Sequence, residues 1–598
     1  MEKRKTKRRR LGFYLPLILI ALLGFALLEL NKNTVLGWLL ALAVVGVCVF
    51  VYERFLRNRT WRLKLLALLC LLAALLLILF GTVGPIRLRP AVEGKDRAVT
   101  DVVTVAQGKL TGVYTADGAV EVYTGIPYAK PPVGELRWRE PQEPEPWEGV
   151  LAADHFAPMS MQPRNSQIYE SLAQIIGYHD YAVSLSDNFR DAVSEDALYL
   201  NIWKPAGKQE KLPVLVYIHG GSLQTGQPWY ADYRGEGLAR KNTIVVNMGY
   251  RLGAFGFLAT EELMAESPNG TTGNYGLLDQ IQALKWVQEN IAAFGGDPDN
   301  VTLAGESAGS ACVTALCTSP QAKGLFRRAI GESSTVTARE PTHSFRLLDE
   351  ALATGQATME RFGAASVEEL RQLPAEQLVE AADTNHHLTI DGYALPQTPY
   401  EAYRSGQHNE EAILQGFNAL EGTPFILFSQ ANLKNYEQKV RAYFGDYADE
   451  VLALYPASTN EEARAQWTDI YSAVLFTYGH YCWTRQAIAN GMPAYEYYFT
   501  KDNGRLGTWH SGEEIYCYGN IPAASRLYDE SDRELAEIFS SYFANFAAAG
   551  DPNGPGLPNW ETSTSANELM ELGQTQEMVS DPFLPLYDIL DRMHGWAD

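Results

Sequence analysis

The sequence predicts an α/β fold: a mostly parallel central sheet flanked by helices, interrupted by helical cap insertions and preceded by three transmembrane helices. Three observations carry this reading. Three long apolar runs fill most of the first 90 of 598 residues. Beyond them, short β-branched runs alternate with stretches of helical period, the order expected when strands and helices are laid in turn around a parallel sheet. One junction, "LAGESAGSAC" at 303–312, passes from an apolar strand-like run into a small, breaker-free helical run through a sharp elbow at Gly305, Ser307 and Gly309.

The apolar runs are "LGFYLPLILIALLGFALLEL" at 11–30, "VLGWLLALAVVGVCVFVY" at 35–52 and "LLALLCLLAALLLILFGTV" at 65–83. Each is about long enough to cross the hydrocarbon as a helix, and Glu29, near one end, is their only charged residue. A cleaved signal sequence does not fit the first run: it is long for such a segment, no A-x-A site follows, and two more runs come next. Basic residues set the orientation. "MEKRKTKRRR" holds seven Lys/Arg and "ERFLRNRTWRLK" five, while the short link "NKN" holds one. Residues 1–84 are therefore expected as a multi-pass membrane region. Its N-terminus and second loop face the cytoplasm, and everything after about residue 84 lies outside.

Charge divides the chain in the same place. Residues 1–90 carry 15 Lys/Arg against 3 Asp/Glu, a surplus of 12 positive charges. With a whole-chain charge of −22, the remainder carries −34, a strongly acidic balance that argues against nucleic-acid binding. The six cysteines fit neither a disulfide framework nor a zinc site: Cys48 and Cys70 lie in apolar runs, Cys312 and Cys317 follow the elbow, and Cys482 and Cys517 are isolated. No metal or cofactor is expected.

Residues 85–104 read as a tether, and 105–598 as one large domain with insertions. "PVLVYIHGG" and "TIVVNMGYR" read as strands, "LLDQIQALKWVQENIAAFG" as a helix, and "FRRAIGESS", "EAILQGFN" and "AYEYYFT" as later strands. Residues 337–410 and 423–490, rich in helix formers, read as the cap insertions.

A strand turning into a helix around G-x-S-x-G exposes the serine at the top of a sheet. A serine hydroxyl needs an adjacent base held by a buried acid. Among ten histidines, His219 follows a strand in "HGGS", the place of an oxyanion loop, and His510 lies in the Gly-bounded loop "TWHSGEEIYCYGN" after a late strand. "EAILQGFNALEGTPF" offers Glu421 just past a strand. The order Ser307, Glu421, His510 is nucleophile, acid, base.

Over residues 105–598 the chain resembles the type-B carboxylesterase and cholinesterase family of α/β-hydrolases. The resemblance rests on "YTGIPYAKPPVGELRW", "SEDALYLNIWKP", "VYIHGGS", "NMGYRLGAFGFL", "GNYGLLDQIQALKWVQENIAAFGGDP", "LAGESAGS", "GFNALEG", "WHSGEEI" and "GDPNGPGLPNW". It implies a triad on Ser307, Glu421 and His510, and oxyanion donors on the backbone N–H groups of Gly221, Ser222 and Ala308. It also implies a supporting role for Ser333 behind the acid and base, and a small-molecule ester as substrate. Three departures stand out. Ser222 replaces the last glycine of the usual H-G-G-G. The family's first disulfide is missing, its cysteines falling on Ser160 and Ala197. The choline-binding tryptophan falls on Asp187, with Phe189 nearby. The pattern looks more like bacterial esterases of the para-nitrobenzyl-esterase type than like cholinesterases. Because the family also contains adhesion proteins without a triad, a non-catalytic binding domain is the alternative.

Overall fold

The computed structural model describes residues 2–92, 97–163, 168, 171, 189–208, 210–340, 344–381, 385–502 and 507–596; Asp187 lies outside them. The chain forms two compact units, 1–88 with 164–192, and 89–163 with 193–598.

The first unit holds three helices, α1 (Glu2–Leu30), α2 (Val35–Val51, continued by one π turn to Leu56) and α3 (Trp61–Gly81). The stretches long and apolar enough to span a membrane are Arg10–Leu30, Val35–Leu56 and Trp61–Gly81. They match the sequence runs, except that α3 begins four residues earlier, just after Thr60, and α2 continues to Leu56. Outward-facing side chains along these helices, such as Leu15, Leu22, Leu39, Phe50 and Leu77, are apolar and exposed, a surface suited to hydrocarbon rather than water. Between α1 and α2, buried Asn33 donates through Nδ2 to Leu79 O and to the Thr82 hydroxyl oxygen, both at 2.8 Å, satisfying one of the last carbonyls of α3.

The run expected as a tether is ordered at both ends. Ile86–Arg87 pairs in parallel with Arg190–Asp191 of the same unit, and Ser171 Oγ donates to Leu30 O at 2.7 Å. From Arg89 the chain belongs to the second unit: Ala91 is buried and donates to Asp154 O, and Val99 bridges Val113. Membership of 164–192 in the first unit has no signature in the sequence.

The second unit is built on an 11-stranded sheet. Its strands are β1 (Val113–Tyr114), β2 (Val120–Pro127), β3 (Tyr199–Pro205), β4 (Leu212–Ile218), β5 (Ile244–Met248), β6 (Gly296–Glu306), β7 (Arg328–Glu332), β8 (Ile413–Asn418), β9 (Ala494–Phe499), β10 (Glu568–Leu572) and β11 (Gln576–Ser580). Their spatial order is β1-β2-β3-β5-β4-β6-β7-β8-β9-β10-β11. From β5 to β10 every neighbour is parallel; the pairs at either edge are antiparallel. Strands β5, β7 and β8 are buried from end to end, β4 from Val214 and β6 from Val301, as strands covered on both faces must be, which is why they read as apolar runs. Helices α4 (Tyr275–Asn290) and α5 (Ala308–Thr318) pack into the main core with β4, β5 and β6.

Both expected cap intervals are helical, with α6 (Leu348–Phe362) in the first and Tyr436–Phe444, Ala448–Leu454, Asn460–Ser472 and Tyr478–Ala489 in the second. The second interval closes its own core, from Tyr436 and Val440 to Leu586 and Leu590 of the C-terminal helix Leu584–His594. Where the family's first disulfide would lie, Met159–Ser160 pairs in parallel with Val193–Ser194, and Ser160 Oγ donates to Tyr250 O at 2.6 Å. All six cysteines are free.

Candidate active site

The central strand β6 ends at Glu306, and α5 starts at Ala308. Ser307 between them has φ 55° and ψ −127°, a conformation that costs a residue with a side chain about 1–3 kcal/mol and persists only where its surroundings enforce it. The flanking glycines show the enforcement. A Cβ on Gly305 would fall 2.6 Å from the Gly309 carbonyl carbon, and one on Gly309 only 2.0 Å from Ile218 O. Strand, turn and helix are so close that neither position accepts a methyl group. The Ser307 N–H donates to Glu332 O at 2.8 Å, extending the ladder to β7 by one residue. Ser307 is partly exposed, while its neighbours Glu306 and Ala308 are buried.

Glu421 follows β8 and His510 follows β9, in loops held together by the Leu420 N–H to Thr508 O bond (3.0 Å) and by Asn418 Nδ2 to Trp509 O (3.0 Å). Glu421 is fully buried. Its Oε1 accepts the Asn418 N–H at 2.7 Å and its Oε2 lies 2.6 Å from His510 Nδ1. The imidazole is flanked by the rings of Phe425, at 5.1 Å, and Phe476, at 4.7 Å. Burial opposes its charging, but the carboxylates of Glu306 and Glu421 outweigh that and push His510 up to about 9.

The far nitrogen, His510 Nε2, is buried and 3.2 Å from Glu306 Oε1, without hydrogen-bond alignment. Among the described residues no hydrogen bond joins it to Ser307 Oγ. Such bonds are often long in a free enzyme and tighten with substrate bound. Glu306, adjacent to Ser307 in the chain, brings the two residues to the same place.

The loop after β4 packs against the elbow: a Cβ on Gly220 would lie 2.9 Å from Ser307 Cβ and 2.7 Å from Glu306 O. Gly221 has φ 103°, and a side chain there would strike Thr225 O at 2.2 Å. Ser222 follows with φ 56°, exposed, and Leu223 with φ 60°, buried. The turn is closed by Gln224 and Thr225 N–H groups, both donating to Gly221 O at 3.0 Å. The N–H groups of Gly221 and Ser222 have no acceptor among the described residues, and Ala308 contributes a first-turn helical N–H. His219 anchors the loop from beneath; burial lowers it to about 4, so it is neutral at pH 7.

Ser333 does not touch Glu421 or His510. Its Oγ donates to Glu513 Oε1 at 2.8 Å; Glu513 also accepts from Asn418 Nδ2, and the Asn418 N–H reaches Glu421. Its connection to the acid is thus two residues long.

Sequence reasoning missed Glu306, Asn418, Glu513 and the two phenylalanines. Glu306 carried a visible signal, a lone acid inside the elbow motif at the end of an apolar strand. The others did not, because their partners are up to 180 residues away. Among the described residues no three His, Cys, Asp or Glu side chains are grouped to hold a metal.

The family model described as "Carboxylesterase family" matches residues 99–584. Carboxylesterase 1C of Rattus norvegicus is 32% identical over 511 residues, covering 80% of this chain and 90% of that protein. Fumonisin B1 esterase of Sphingopyxis macrogoltabida is 33% identical, with coverages of 78% and 85%. Para-nitrobenzyl esterase of Bacillus subtilis (strain 168) is 32% identical, with coverages of 77% and 92%. These relatives carry the names of esterases, and the adhesion alternative is not favoured. An α/β sheet with a strained serine at the end of its central strand, matched over most of its length to such proteins, places this chain in the carboxylesterase family of carboxylic-ester hydrolases.

Proposed function

We propose that this hydrolase is anchored in the membrane by α1–α3 and cleaves small-molecule esters through an acyl-enzyme on Ser307. The observation that carries the reading is the buried 2.6 Å contact of His510 Nδ1 with Glu421, while His510 Nε2 lies 3.2 Å from Glu306, the residue before Ser307. His510 accepts the Ser307 proton as the hydroxyl attacks the ester carbonyl. Glu421 holds the tautomer and stabilises the imidazolium. The N–H groups of Gly221, Ser222 and Ala308 bind the oxyanion, each donor worth about 3 kcal/mol in the transition state. The alcohol leaves with the proton from His510 Nε2, and water cleaves the acyl-enzyme by the same route.

The distribution of basic residues supports an extracytoplasmic catalytic unit with a cytoplasmic N-terminus, and the departures from the cholinesterase pattern support a bacterial enzyme. The test is covalent labelling. A fluorophosphonate probe should modify Ser307 in the wild type and leave Ser307→Ala unmodified, and His510→Ala and Glu421→Ala should lose most turnover while still folded. Full activity in folded Ser307→Ala would overturn the mechanism.

A further inference from the structure

Helices α1 and α2 run in opposite directions, so the start of α1 and the link between α2 and α3 lie at one end of the membrane unit. Glu53 ties them together: it accepts from Tyr14 OH at 2.8 Å and lies 3.6 Å from Arg10 and 3.7 Å from Arg57. That end carries the seven Lys/Arg of 3–10 and the five of 54–64, against two acids, Glu2 and Glu53, a surplus of ten positive charges. Arg54, Arg59 and Arg62 are exposed and make no ion pair among the described residues. Beside them stand two exposed aromatic side chains, Phe55 (57%) and Trp61 (69%), with the Arg54 guanidinium 5.3 Å from the centre of the Phe55 ring. The link at the opposite end, about 30 Å away along the helices, carries one cation, Lys32, which Glu29 neutralises at 3.2 Å. Aromatic rings settle at the boundary between hydrocarbon and headgroups, and cations beside them reach the lipid phosphates.

We propose that this end of the membrane unit binds the headgroups of anionic phospholipids, gathering a patch of such lipids around the anchor. The inference rests on the membrane anchoring proposed above and deepens it by naming the lipid class. The apolar helices hold these cations at headgroup depth, which makes lipid phosphate, rather than free phosphate, the anion within reach. Each cation held near an anionic membrane surface is worth about fivefold in affinity.

The test incubates the full-length protein in detergent with equal amounts of phosphatidylcholine and phosphatidylglycerol. Unbound lipid is removed by gel filtration and the retained species are quantified by mass spectrometry. Wild type should retain the anionic lipid about fivefold or more over the zwitterionic one. Arg54→Gln/Arg59→Gln/Arg62→Gln should lower that ratio by about threefold or more. Arg54→Lys/Arg59→Lys/Arg62→Lys should keep it, and so should Lys32→Gln at the opposite end. Raising NaCl from about 0.05 to 0.5 M should lower the wild-type ratio as well, because exposed charges are screened; this arm requires no variant to fold. Retention by wild type at the mixing ratio, a ratio unmoved by the three glutamines or by salt, or displacement of the lipid by inorganic phosphate at equal ionic strength would overturn the proposal. Release of the full-length protein from membranes by alkaline carbonate would instead overturn the anchoring beneath it.

Discussion

Glu306 lies one residue before Ser307 and 3.2 Å from His510 Nε2, so the imidazole is held between two carboxylates. Both favour the imidazolium, whereas a general base must be neutral to accept the serine proton. With His510 as the proposed base, the acid limb of kcat/KM should therefore follow its pKa, pushed up to about 9 in the free structure. Replacing Glu306 by Gln keeps the acceptor for Ser511 Oγ, now 2.6 Å from Oε1, and removes one charge. Glu306→Gln should move the acid limb down by about one pH unit or more; a pH profile whose acid limb stays in place would show that Glu306 does not act on the base. Ser222 offers a second residue-level test. If it serves only as a carrier of an N–H, Ser222→Gly and Ser222→Ala should keep turnover within about tenfold, roughly 1.4 kcal/mol. The glycine variant should also be slightly more stable to heat, because φ 56° strains any residue with a Cβ. A hundredfold fall in Ser222→Ala with the fold intact would assign the hydroxyl itself to the oxyanion or acyl group. Proline at 222 is no clean probe, since its ring fixes φ near −65° and would break the turn.

The short helix Glu514–Cys517, just after the His510 loop, brings buried acids together with no basic hydrogen-bond partner among the described residues. Glu514 accepts from Tyr217 OH, and Glu332 on β7 accepts from Cys517 Sγ at 3.2 Å and Tyr518 OH at 3.0 Å. Burial, reinforced by the neighbouring carboxylates, raises Glu332 and Glu514 well above the ordinary carboxylate range. A group whose folded pKa is raised contributes stability below its unfolded pKa and loses it as pH rises through the folded value. Wild-type stability should thus erode toward alkaline pH, and Glu514→Gln, which keeps an acceptor for Tyr217 but cannot ionise, should erode less. Thermal melts at pH 5 and pH 9 check this: the Tm of Glu514→Gln should gain on wild type at pH 9, and a gap independent of pH would refute it. Elements like this one were not legible in the sequence. "GEEIYCYGN" carries the acids, but the tyrosine and glutamate that face them come from β4 and β7, about 180 to 300 residues away. The elbow and the strands β4 to β7 were legible because their requirements are local, an apolar run covered on both faces and glycines where no Cβ fits.

At the scale of the whole molecule, the three apolar helices were legible from composition alone, while the grouping of 164–192 with them was not. Residues 164–192 leave the catalytic unit after Pro163 and return at Val193, and their described part pairs with the membrane unit through Arg190–Asp191 and Ser171. No period or motif announces this, because the partners, Leu30 and Ile86–Arg87, lie about 100 residues or more upstream. It changes what truncation should do. No candidate triad or oxyanion position precedes Gly221, so deleting residues 1–88 should leave the chemistry intact. It would, however, strip residues 164–192 of their partners, exposing unpaired backbone at Arg190–Asp191. The parallel pairing of Met159–Ser160 with Val193–Ser194 brings the two ends of the excursion together in the catalytic unit, so a short Gly/Ser link can replace it. The chain lacking both 1–88 and 164–192 should be soluble, and should hydrolyse para-nitrophenyl acetate within about tenfold of the full protein, roughly 1.4 kcal/mol. The chain lacking only 1–88 should aggregate more readily and melt earlier. Equal solubility and melting of the two truncations would show that the excursion needs no membrane unit. A folded but inactive double truncation would show that the membrane unit or the excursion contributes to the chemistry.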